Sequence, residues 1–233
     1  MLPVLTLAAA AVALALSLGA GPAVRYEILP LGDAFNMMKW GTYAGLGAAG
    51  LAILELLIPR ARRNAAAVLI AALVVGLAAA APPVYMLQLA KSLPPIHDVT
   101  TDAQDVPRFE ALARAREESP NKAAYDPKDA AQQKAGYPDI EPLQLALPPD
   151  QAFARALEAA RAERWEIAAA DAAKGSIEAT ATTLWFGFKD DVVVRVRAAD
   201  GGSRIDVRSA SRVGESDLGA NAKRVRSYLA RLR

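Results

Sequence analysis

The chain has one histidine, His97, with Asp98 beside it and Asp102 a few residues on. A histidine among carboxylates is the pattern of a base oriented by an acid, or of a metal ligand set. One imidazole and two acids fall short of a zinc site, and no second cluster supplies the missing ligands. No metal or cofactor is therefore expected. The preferred reading is a turn in which Asp98, Thr100 and Thr101 bond local backbone. Asp190-Asp191 is a carboxylate pair, but neighbours on a strand point to opposite faces and share neither proton nor ion; the pair is expected to mark a turn. Ser209 and Ser211 sit in no Gly-x-Ser-x-Gly elbow, and no catalytic residue is assigned. The absence of cysteine excludes disulfides, thiol catalysis and thiolate metal sites.

The arginines near the C-terminus are the best candidate for binding chemistry. Residues 195–233 hold ten basic residues against four acids, a balance of +6 that leaves −6 over residues 91–194. Arg195, Arg197, Arg208, Arg212 and Arg224 are the candidate anion or partner site, because a planar guanidinium holds phosphate or carboxylate bidentately. A phosphate, an anionic lipid headgroup, an acidic glycan or an envelope protein would fit. The preferred alternative is an internal match, with the acidic stretch folding over the basic face. At the corner after the last strand, Gly214 permits a turn and Ser216 or Asp217 can cap a helix from about Ser216. Gly219 costs helix propensity that a close backbone contact would offset. Two readings stay open there. In one, Arg212 pairs with Asp217 and Asn221 bonds backbone. In the other, Arg208, Arg212 and the helix N-terminus form an anion pocket. Trp185, Phe186 and Phe188 are read as core packing, with a membrane-dipping tip as the alternative.

The elements that must position these residues fall into two parts. Residues 1–90 carry only Arg25, Lys39, Arg60, Arg62, Arg63, Glu27, Asp33 and Glu55 as charges, and the other 44 lie in 91–233, half basic and half acidic. The net charge of +2 argues against a nucleic-acid binder. Residues 2–24, 40–58 and 65–90 are each long and apolar enough to span a bilayer as helices. The first run also offers small residues for cleavage at 20–23 but lacks a basic leader, so a retained span is preferred over a signal peptide. Arginines 60, 62 and 63 between the second and third runs place that loop in the cytoplasm. The N-terminus is then cytoplasmic and residues 91–233 lie on the far side. Gly41 and Gly45 form a GxxxG that serves packing within the chain or a homodimer. Glu55 is read as snorkelling or pairing with the arginine loop, and Pro82-Pro83 as a kink.

Residues 91–142 are Pro-rich and read as an extended arm with a short helix at 107–118. Residues 143–233 read as β-α-β-β-β-β-α. Strands are expected at 143–147, 165–170 and 176–188, the last with a bulge between Thr183 and Gly187. A hairpin follows across Asp200-Gly201-Gly202, and helices run from Asp150 and to the C-terminus. The hairpin alternates an apolar face with an arginine-rich one. The expected fold is three transmembrane helices plus an α+β domain, an antiparallel sheet of four to five strands packed by two helices.

Three segments resemble a known family. They are Ile96-His97-Asp98-Val99-Thr100-Thr101-Asp102, Trp185-Phe186-Gly187-Phe188-Lys189-Asp190-Asp191, and Asp206 to Gly214 continuing through Asp217, Gly219, Asn221 and Arg224. Together they are similar to the bacterial domain-of-unknown-function family 1499, over residues 94–232. The resemblance implies one domain and brings no reaction, substrate or cofactor; on the residues themselves, His97, Asp98, Asp102, Gly214, Asp217, Gly219 and Asn221 are read as a structural motif. The expectation is a multi-pass protein of the bacterial inner membrane with a periplasmic domain. It would serve binding or envelope assembly, the alternative being a hydrolase of a cell-envelope substrate using His97 with Asp98 or Asp102.

Overall fold

A computed structural model describes residues 1–233. The chain divides into a helical unit, Met1–Gln88 with Leu184–Gly187, and a sheet unit, Leu89–Thr183 with Phe188–Arg233.

The helical unit is built from α1 (Leu2–Arg25), α2 (Leu31–Leu57) and α3 (Pro59–Ser92), each long and apolar enough to cross a membrane. Small residues set their approach. A Cβ on Gly41 would lie 2.8 Å from the Ser17 backbone nitrogen of α1, and one on Gly45 would lie 2.7 Å from the Gly76 carbonyl of α3. The two glycines are thus occupied by the chain's own helices, as backbone contact in lipid requires. Glu55 continues the same stripe (41, 45, 48, 52, 55) and so faces inward. It is 3% exposed and accepts a 2.5 Å hydrogen bond from the Thr6 hydroxyl of α1, which replaces the expected pairing with the arginine loop. α3 departs from helical geometry at Ala65 (φ −145°, ψ 21°), between the basic turn and the apolar span. The helix runs on through Pro82 and Pro83; membrane helices tolerate proline when freed backbone groups find other partners.

In the sheet unit the order is β1 (Asp98–Thr100), α4 (Ala113–Glu117), α5 (Lys128–Gly136), β2 (Leu143–Leu145), α6 (Pro149–Ala162), β3 (Glu166–Asp171), β4 (Ser176–Thr182), β5 (Lys189–Ala199), β6 (Gly202–Ser211) and α7 (Ala220–Leu232). From β2 onward this is the predicted β-α-β-β-β-β-α. The six strands form one antiparallel sheet in the order β1-β6-β5-β4-β3, with β2 also on β6. β1 and β2 lie end to end on the same edge of β6, at residues 208–210 and 203–205. β1 is the strand that sequence reading missed, because three residues carry no readable alternation.

Alternation puts Ile177, Ala179, Val192, Val194, Val196, Ile205 and Val207 on one face. Phe153, Ala156 and Ala160 of α6 and Val225, Leu229 and Leu232 of α7 cover that face. Each of the Val, Ile, Leu and Phe side chains among them contributes about 1.5–3 kcal/mol on full burial. Trp165 stacks on Tyr228 at 4.9 Å, and the Tyr228 hydroxyl donates to the Ala156 carbonyl. β4 ends at Thr182 instead of running to 188. The Thr183 N–H donates to the Phe188 carbonyl at 2.8 Å and closes a loop where a bulge was expected. The register irregularity lies in β3, between Ile167 and Ala169. α7 starts at Ala220, not Ser216, because Leu218 and Gly219 adopt positive φ (53° and 80°).

At the outer edge of β1, the Gln133 side chain of α5 stands in for a strand. Its Oε1 accepts from the Thr100 N–H at 2.9 Å, and its Nε2 donates to the Thr100 carbonyl at 2.6 Å.

Candidate functional site

The face of the sheet away from α6 and α7 carries the arginines. Ser176, Glu178 and Thr180 of β4, odd-numbered residues of β5 and even-numbered residues of β6 share it. The register sets Arg195 opposite Asp206 and Val193 opposite Arg208. A carboxylate and a guanidinium on one side of adjacent strands are within reach of each other.

Asp206 is fully buried and anchors three arginines. It accepts from Arg195 Nη2 (3.0 Å), Arg197 Nη2 (2.9 Å) and Arg204 Nε (2.8 Å). The loop after β1 supplies the remaining charge. Asp105 pairs with Arg197 at 2.6 Å, and Asp102 pairs with Arg204 while accepting the N–H groups of Gln104 and Asp105. Burial raises the Asp102 pKa, but those two amides and Arg204 outweigh it and hold the carboxyl below its usual range. The hydrogen bond from Arg197, with Arg195 nearby, does the same for Asp105.

Further along β6, Arg208 is 2% exposed. It grips Asp98 through Nη2 (2.6 Å) and Nε (3.0 Å) and gives its other donors to the carbonyls of Pro107 and Ala123. Arg116 of α4 is fully buried beside it and donates to Asp191 (3.1 Å), to the Ala210 carbonyl and to the Lys122 carbonyl. Both guanidiniums lie 4.8 Å from the ring of Phe109, within cation–π range. Phe109 and Leu112 in turn pack on Val193 and Ala210. Arg212 forks onto Asp191 (2.8 and 2.9 Å), which also accepts from the Thr180 hydroxyl. Glu178 is buried and takes the N–H groups of Glu110, Ala111 and Leu112, each at 2.9 Å. That carboxylate holds the chain in place just before α4, as a cap would. Residues 98–123 thus lie on the arginine face and neutralise it.

The other face holds a second polar cluster under the corner. Arg224 lies here, apart from the other candidate arginines. It pairs with Asp190 at 2.6 Å and donates to the Ser209 hydroxyl and to Asn221 Oδ1. Asn221 Nδ2 donates to the His97 carbonyl (2.8 Å) and the Ser211 hydroxyl (2.9 Å). The Asp217 carboxylate accepts from the N–H groups of Gly219 (2.8 Å) and Asn221 (2.7 Å). Burial pushes the Asp217 pKa up against those two bonds. Gly214 turns at φ 92°, and its carbonyl accepts from Asn121 Nδ2. The expected Arg212–Asp217 pair does not form, because Arg212 leaves β6 on the opposite face and meets Asp191. Asn221 does bond backbone. Asp190 and Asp191 stand inside β5, facing opposite ways to Arg224 and to Arg116 with Arg212, rather than marking a turn.

Sequence reasoning missed Arg116, Glu178 and Gln133. Glu178 carried a signal, a carboxylate at the polar parity of a strand. Arg116 carried none, because its partner lies 75 residues away. The Asp98 and Asp102 carboxylates are taken by arginines and amides, and His97 enters the network through its main chain. No group of three or more His, Cys, Asp or Glu is placed to hold a metal ion.

Beside the arginine face, Gln104, Arg108, Phe109, Ala123, Tyr125 and Arg208 line a cleft of about 560 Å³. The Tyr125 hydroxyl is buried without a hydrogen-bond partner. Burial, with Asp98 and Asp129 adding to it, pushes this hydroxyl up to about 12; like any phenol it is a donor at neutral pH.

No curated protein and no solved structure matches the chain. A family model does, over residues 98–232, from the first residue of β1 to the last of α7. The domain held together by the Asp98–Arg208 pair and the Asp217–Asn221 corner is therefore a family unit, and the chain belongs to the family described as protein of unknown function DUF1499.

Proposed function

We propose that the chain is a membrane-anchored module whose α+β domain stands outside the cytoplasm, at the bacterial inner membrane, and serves binding or envelope assembly rather than catalysis. The three apolar helices support the anchor. The arginines at 60, 62 and 63 support the orientation through the positive-inside rule. The observation that carries the binding role is the commitment of the ionisable groups. Arg195, Arg197, Arg208, Arg212 and Arg224 each meet a carboxylate of the same domain. What is left uncommitted is exposed Arg108 in the cleft and, in its wall, the Tyr125 hydroxyl, buried and without a partner. A ligand with an acidic or carbonyl acceptor suits those two groups. The hydrolase alternative loses its acids to Arg204 and Arg208, and His97 is not among the residues lining the cleft that Arg208 lines.

A reporter active only outside the cytoplasm tests the placement. Fused after Arg233 it should be active, and inserted between Arg60 and Arg63 it should be silent. The reverse pattern overturns the reading. A photo-cross-linking residue in place of exposed Gln104, which also lines the cleft, should trap an envelope component, and adding Arg108→Ala should abolish the trapping.

A further inference from the structure

The loop between β4 and β5 ends in Leu184–Gly187, and this tip belongs by its packing to the helical unit. The Trp185 indole N–H donates to the Leu18 carbonyl of α1 at 3.1 Å. Gly21 makes room for the indole, since a Cβ there would lie 2.3 Å from the ring. Phe186 is buried and meets the Phe35 ring of α2 edge-on at 5.6 Å. Arg25, the last residue of α1, donates from Nη1 to the Leu184 carbonyl at 2.6 Å. Leu184 itself is 89% exposed. Every other exposed large apolar residue lies at or before Leu87, on the membrane-capable helices or in the short links beside them. Leu184 is the sole exception in the rest of the chain.

We propose that this tip is a membrane contact in its own right, with the Leu184 side chain seated among lipid at the interface. Depth supports lipid as the occupant. Leu18 precedes Arg25 by seven residues, about 10 Å of helix at 1.5 Å per residue. Arg25 and exposed Tyr26 mark the polar end of the span, so the indole sits about 5–10 Å below it, the depth at which interfacial segments bury their apolar face. Exposed Trp40, Tyr43 and Tyr85 supply a belt of aromatic residues, the type enriched where bilayers meet water. A bare leucine in water would be unfavourable; among acyl chains its burial is favourable. The proposal rests on the helices being in a bilayer and not on which side the domain faces or what it binds.

The chain has no cysteine, so single-cysteine variants of the full protein can carry one spin label each. Leu184→Cys, Asp200→Cys in the exposed β5–β6 turn and Val12→Cys on the exposed side of α1 are reconstituted in vesicles of phosphatidylethanolamine and phosphatidylglycerol. Label accessibility to oxygen, which partitions into lipid, is compared with accessibility to a water-soluble nickel chelate. The label at 184 should favour oxygen several-fold over the label at 200 and approach the ratio at 12. If 184 matches 200 while 12 reads lipid, the tip is in water and the proposal is overturned with the anchor intact. If 184 is closed to both reagents, protein covers it, which also overturns the proposal. If 12 itself reads water, the membrane anchor and the proposal fall together.

Discussion

Replacing Arg208 by methionine is the sharpest perturbation of the sheet unit. Methionine keeps much of the stem volume and removes the charge and every donor. Asp98, itself buried, then loses both of its short contacts, and the carbonyls of Pro107 and Ala123 lose theirs. Breaking a buried pair from one side costs about 3–5 kcal/mol, because the remaining charge has no solvent. A domain of this size is stable by about 5–15 kcal/mol and shifts its Tm by about 3 °C per kcal/mol. Arg208→Met should therefore lower the Tm by roughly 9–15 °C, read by circular dichroism in the near ultraviolet on the full chain in detergent. Arg208→Lys should fall between, because one ammonium cannot serve Asp98 and two carbonyls together. Adding Asp98→Asn to Arg208→Met removes the orphaned charge and should recover a large part of the loss. A shift below about 3 °C, or a double variant no more stable than the single one, would refute the account of a buried pair holding the segment to the sheet.

Arg212→Gln should cost less, about 1–2 kcal/mol, since Asp191 keeps Arg116 and Thr180; a urea midpoint measures it, and no change would contradict the fork. Gly45→Leu should destabilise the helical unit, because its Cβ has 2.7 Å to the Gly76 carbonyl and overpacking costs about 1–3 kcal/mol; protease resistance in detergent reports it. The pKa values of Asp102 and Asp105 lie below 3.8 in the folded chain, so the unfolded chain takes up protons first on acidification. Their contribution is present above pH 4 and is lost as pH falls through the folded values. Asp217, raised by burial, acts in the opposite sense, and Asp217→Asn should steepen the acid loss measured by melting between pH 5 and 3.

The strands and helices of 143–233 were legible because parity and turn residues are local. Val192, Val194 and Val196 name their own face, and Arg195 and Arg197 name the other. The partners of that second face were not legible. Asp98 reaches Arg208 across 110 residues and Arg116 reaches Asp191 across 75, and no periodicity joins such positions. The charge balance of the two halves announced that a match existed without naming the pairs. The segment 98–123 has too few regular elements to be read, because its order comes from Glu178, Asp191 and Arg208 beneath it. Glu55 was legible and misread: its spacing from Gly41, Gly45, Ala48 and Ala52 already placed it on the buried stripe.

The side-chain amide of Gln133 has a consequence for self-association. An edge strand offers unpaired N–H and C=O groups to any extended chain that passes, including a second copy of the same protein. β1 is such an edge, yet at Thr100 both groups are already taken in the geometry a neighbouring strand would use. Because β1 is only three residues long, this one amide plugs the middle of the outward edge formed by residues 98–102. Growth of the sheet by strand addition is thereby blocked along β1, while at the far edge Glu166 and Asp171 put a charge at each end of β3. Two copies brought close together would otherwise meet along this edge, and here a single glutamine supplies the stop.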